Sequence, residues 1–140
     1  MINGYLQADE NGDLCPMVDI VVRGFGGESV QFAALIGTGF SGAVGLRPED
    51  AQTLNLMPSG SATTTLADDS QKVTDTYFAV VDWDGVSTLT EVIADDAVPL
   101  VGMKLLTGYN LSVDVTDGGT VEITRLVPRR VAATEPADVG

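Results

Sequence analysis

The stretch Ala34-Leu35-Ile36-Gly37-Thr38-Gly39-Phe40-Ser41-Gly42-Ala43-Val44-Gly45-Leu46 decides how this chain is read. An apolar run enters a turn of small residues and leaves as a second apolar run, and such a turn lets backbone approach a partner or ligand closely. A related pattern returns at Pro99-Leu100-Val101-Gly102-Met103-Lys104-Leu105-Leu106, read as a short strand, a glycine and a helix of about two turns closed by Gly108. Working outward, Met17–Arg23 and Val30–Ile36 read as a hairpin around Gly24-Phe25-Gly26-Gly27. Thr76–Val81 and Ser87–Ile93 form another, joined by Asp82-Trp83-Asp84-Gly85, where Asp-Gly supplies the positive φ of a tight turn. Leu111–Val115 and Thr120–Thr124 alternate apolar and polar residues around Asp117-Gly118-Gly119, which makes a third. Pro48–Leu54 carries proline and acids in the first turn of a short helix. The chain is expected to be mostly β, closed or sandwich-like, with one or two short helices.

The whole chain has 140 residues, of which 19% are charged and 44% apolar, enough for one domain with its own core. Residues 1–126 are read as that domain and 127–140 as a flexible C-terminal tail, because nothing after Leu126 is periodic. There is no histidine, which excludes a Ser-His-Asp triad, a Cys-His pair and imidazole metal sites; the single cysteine, Cys15, excludes an intramolecular disulfide. A formal net charge of -13 repels phosphate backbones and anionic membranes, so neither nucleic acid nor membrane is an expected partner. The start of the chain shows no signal-peptide pattern and no segment reaches membrane-spanning length, which predicts a soluble, cytoplasmic protein.

The sequence resembles the retropepsin-like aspartic peptidases, above all the small bacterial and archaeal branch with an Asp-Thr-Gly-Phe-Ser/Asn-Gly signature. The likeness runs from Met1-Ile2-Asn3-Gly4 through Leu66-Ala67-Asp68-Asp69-Ser70 and Val81-Asp82-Trp83-Asp84-Gly85 to Leu100-Val101-Gly102-Met103 and Gly108-Tyr109-Asn110-Leu111-Ser112-Val113-Asp114-Val115. It implies a closed β-barrel acting as a homodimer on extended peptide or protein substrates, without a cofactor or metal. Each chain gives one active-site loop, here Gly37, Thr38 and Gly39, with Thr38 tying the two loops across the axis. Phe40, Ser41 and Gly42 beside that loop, and the flap turn Ala67, Asp68, Asp69 and Ser70, would meet substrate. Val101 and Gly102 would pack beneath the loop.

One position departs from the family: Gly37 stands where the catalytic aspartate belongs. The family's chemistry needs two close carboxylates sharing a proton, one acting as base on water and the other polarising the scissile carbonyl. A homodimer with Gly37 has neither, so the expectation is a silenced peptidase or, alternatively, a non-enzymatic peptide-binding or dimerisation module on the same fold. The other candidate groups carry less. The pairs Asp68/Asp69, Asp82/Asp84 and Asp95/Asp96 read as turn acids without metal-ligand spacing, and Ser41 has no base to activate it. Cys15 reads as a buried structural thiol, Trp83 as either packed or exposed, and Arg129-Arg130 as too short a run for nucleic acid.

Overall fold

A computed structural model describes residues 1–126, so the tail expected at 127–140 lies outside the described residues. The elements are β1 (Ile2–Ala8), β2 (Leu14–Arg23), β3 (Ser29–Ile36), β4 (Val44–Leu46), α1 (Pro48–Thr53), β5 (Met57–Thr65), β6 (Gln71–Trp83), β7 (Val86–Ala94), β8 (Leu100–Val101), α2 (Met103–Leu106), β9 (Tyr109–Val113) and β10 (Thr120–Arg125). The described residues are mostly β with two short helices, as the alternation predicts.

Register follows the apolar pattern. In the antiparallel β2–β3 pair, Val18 faces Ala34 and Ile20 faces Phe32, and all four are buried, while Asp19 and Ala33 point to the opposite, exposed face. The β6–β7 hairpin closes on Asp84 and Gly85, both at positive φ, the backbone that a two-residue turn demands. Strand β6 runs through Trp83, so the turn is shorter than the four residues expected, and Trp83 is buried with its ring edge-on to Tyr109 at 5.9 Å.

The pairings run in a ring: β6 to β7, β7 to β4, β4 to β8, β8 to β3, β3 to β2, and β2 back to β6. Inside lies one apolar cluster that includes Val18, Ile20, Val22, Ile36, Leu46, Val81, Val92 and Val101. From β2 the sheet continues outward through β1, β10 and β9. On the other side the first half of β6 leaves the ring with β5 as a hairpin whose residues are largely exposed.

Three boundaries differ from the sequence reading. Helix α2 is one turn, because buried Leu105 and Leu106 anchor it and Gly108, at φ 88°, sends the chain straight into β9. The sequence places a strand at Ala62 to Leu66 before the flap turn; strand β5 instead begins at Met57, five residues earlier, since Pro58 and Gly60 accommodate a bulge against β6. Strand β1 was not marked by local alternation; its partners are β2 and the distant β10, and Gly4 lies so close to the Met17 carbonyl that no side chain fits there.

Candidate functional site

The turn that decided the sequence reading, residues 37–43, joins β3 to β4, and these strands are not neighbours. Strand β8 is inserted between them, parallel to β3 and antiparallel to β4. Backbone bonds then lock the turn onto β8 and α2. The Gly37 amide donates to the Val101 carbonyl at 2.9 Å, and the Gly102 amide donates to Ala43 at 2.9 Å. The amides of Met103 and Lys104 donate to the carbonyls of Phe40 (2.8 Å) and Gly42 (3.2 Å). Gly102 caps α2 without a side chain, so these turn carbonyls satisfy amides the helix itself leaves unpaired.

The glycines of this region are not equivalent. A Cβ on Gly102 would collide with the Gly42 carbonyl oxygen and the Phe40 ring, and one on Gly42 would lie 2.7 Å from Phe40 Cζ. Packing therefore demands glycine at 102, where backbone is in the way, while at 42 a side chain would have to displace the Phe40 ring. At Gly37 a Cβ would meet only Phe40 Cβ at 3.6 Å and Leu100 Cδ2 at 3.9 Å, ordinary contact distances, and its φ lies outside the left-handed region. Nothing in the fold requires a glycine there. Gly39 likewise has open space around it, and Thr38, Gly39 and Ser41 form an exposed crest. The half-buried Phe40 folds its ring back over Gly42 and Gly102.

The second group of residues singled out, Ala67 to Ser70, forms the tip of the β5–β6 hairpin. Its bonds are internal: the Leu66 amide donates to Ser70 (2.7 Å), the Asp69 amide to Leu66 (3.0 Å), and Asp68 Oδ1 accepts both the amide (3.0 Å) and the hydroxyl (2.5 Å) of Ser70. The Ser70 hydroxyl holds the Asp68 carboxyl below its ordinary range. The hairpin's stem, by contrast, is tied to the segment between β7 and β8: Lys72 pairs with Asp95 at 2.8 Å and the Thr74 hydroxyl donates to Asp95 at 3.2 Å.

Sequence reasoning missed two features. Asp96, half-buried, presses a carboxylate oxygen with no hydrogen-bond partner over Gly45, where any added side chain would have to displace it; burial first, then the charge of Asp95, raises its pKa. The larger omission is a cavity of about 420 Å³ lined by Gln7, Ala8, Asp9, Cys15, Met17, Ala33, Leu35, Val98 and Pro99. Leu35 stands in register with Met17 on one side and Leu100 on the other, and Leu100 touches the open position at Gly37. The cavity and Gly37 thus open on one face of the sheet. Cys15, expected to be buried, is half-exposed on the cavity wall, because its stretch of β2 extends past the end of β3 and is covered from one side only. Among the described residues no group of three or more His, Cys, Asp or Glu side chains is placed to hold a metal ion, and no helix is long and apolar enough to cross a membrane.

No family model matches the chain, and no curated protein matches it.

Proposed function

We propose that this chain is a retropepsin-like aspartic endopeptidase domain that works as a homodimer on extended peptides and is silenced here by Gly37. The observation that carries the reading is the turn 37–43, locked over β8 and α2 by backbone bonds, with an unobstructed position at Gly37 for a carboxylate side chain. On this reading the six-strand ring is the family's closed barrel and Val101-Gly102 is the element beneath the loop. The exposed crest of Thr38 and Gly39 meets its copy across the two-fold axis, with Thr38 bonding the partner loop. The β5–β6 hairpin is the flap, and its tip residues Ala67 to Ser70 close over substrate held by strand-like backbone bonds. In an aspartate-bearing dimer the two carboxylates share one proton, one activating water and the other polarising the scissile carbonyl, and the chemistry calls for no metal or cofactor.

The test is proteolysis by the Gly37→Asp protein beside the chain as given, on an unbiased peptide library from acid to neutral pH, with oligomeric state followed by ultracentrifugation. The restored base is expected to raise cleavage at least ~10²–10⁴-fold, in a dimer, with an acidic optimum and inhibition by a statine-type mimic. Folded Gly37→Asp protein that cuts nothing would overturn the peptidase reading. The apolar cavity and the missing carboxylate at Gly37 together support a second reading, in which the same groove binds peptide without cutting it.

A further inference from the structure

From the cavity we infer that this chain binds, with Gly37 in place, an extended peptide segment that puts a large apolar side chain against Met17, Leu35, Val98 and Pro99 and an adjacent Lys or Arg on Asp9. The inference rests on the peptide-groove reading above and adds the charge of the ligand. A volume of about 420 Å³ falls within the range of small-molecule sites, and the walls are mostly apolar, with Gln7 and Asp9 as the polar exceptions. Val98 contributes an exposed apolar surface, 48% accessible, to this wall.

The polar end is built by the β1–β2 turn. Asp9 Oδ1 accepts the amides of Asn11 and Asp13, both at 2.9 Å, which fixes the carboxylate at the cavity rim and leaves Oδ2 outside these two bonds. Glu10 and Asp13 stand exposed on the same turn. Among the described residues no cation pairs with Asp9: Arg23, Arg47, Lys72 and Arg125 pair with Asp82, Asp50, Asp95 and Asp84, and Lys104 lines a separate hollow with Thr88 and Glu91. An apolar pocket edged by an oriented, uncompensated carboxylate selects a ligand that is apolar and cationic side by side, and repels acidic peptides.

Binding is measured by fluorescence anisotropy with capped peptides that carry one Leu or Phe flanked by Arg, Gln or Glu, on the chain as given and on Asp9→Asn and Val98→Asp. Asparagine keeps the Oδ1 acceptor and so keeps the turn. Arg-flanked peptides are expected to bind about 5–10-fold tighter than Gln-flanked ones at low salt, a margin that shrinks as salt screens the carboxylate. Asp9→Asn is expected to erase that margin while leaving the Gln-flanked affinity intact, which also shows that the variant is folded; Val98→Asp should weaken every peptide. Equal affinity for Arg- and Glu-flanked peptides, an unchanged margin in Asp9→Asn, or no binding at all would overturn the inference. Efficient cleavage of peptides lacking Lys and Arg by Gly37→Asp would refute it while sparing the peptidase reading. An Asp9-dependent margin without cleavage by Gly37→Asp would do the reverse.

Discussion

The turn 37–43 and the hairpin tip 66–70 are both glycine- or acid-rich connections between strands, yet they hold their shapes by opposite means. The first has its carbonyls bonded to the amides of a distant segment, with Phe40, Gly42 and Gly102 packed against one another. The second bonds only to itself, through Asp68 and Ser70, and its neighbours are exposed. A turn fixed by long-range contacts keeps a defined position relative to the ring. A turn fixed by its own bonds keeps its conformation, and its place relative to the ring depends on the stem contacts of Lys72 and Thr74 with Asp95. On the peptidase reading proposed above, the first would be the floor of the site and the second its cover.

The sharpest way to break the contrast is Gly102→Ala. The added methyl is forced into the Gly42 carbonyl and the Phe40 ring, and overpacking of this kind costs about 1–3 kcal/mol, read as a fall in the urea midpoint. Gly37→Ala, only a few residues away, should do the opposite and stabilise the fold by about 0.4–1 kcal/mol, because its backbone is compatible and the unfolded chain loses freedom. If the two substitutions destabilise equally, the distinction between a demanded and an undemanded glycine fails. On the hairpin side, Lys72→Met removes the ion pair with Asp95 and should cost about 0.2–1 kcal/mol in global stability. Its clearer signature is faster amide exchange in β5 and the first half of β6 with the ring unchanged.

The smallest effect belongs to Asp96, which shares the tethering segment with Asp95. Its folded pKa lies above the ordinary value of 3.8, so the native state binds its proton more tightly than the unfolded chain does. The penalty for holding this carboxylate charged is full above the folded pKa, fades as pH falls through it and is gone below 3.8. Asp96→Asn should therefore stabilise the protein at neutral pH by a margin that vanishes in acid, which paired denaturation curves at pH 7 and pH 3.5 would check.

Much of the fold was legible because it is written in short-range pattern. Val18, Ile20 and Val22 alternate with Asp19 and Val21, and a strand slipped by one residue would bury that aspartate. Asp84-Gly85 names its own turn by the φ values it permits. The candidate site was legible in part, through the small-residue turn and Val101-Gly102. The cavity was not, since Asp9, Leu35 and Val98 come from three segments with no mutual signal in sequence, and neither was Asp96, whose lack of a partner exists only after β4 and the β7–β8 segment meet.

By itself the sequence determined a mostly β chain with no histidine chemistry, an acidic character and a turn whose glycine stands where its resemblance calls for a carboxylate. Only the tertiary structure decided which glycines are compulsory. It inserted β8 between two strands that are consecutive in the chain, and that insertion made Gly102 indispensable while leaving Gly37 open. The reason is that hydrophobic period and turn propensity act over a few residues, whereas steric necessity is a relation between segments far apart in sequence and exists only once they touch.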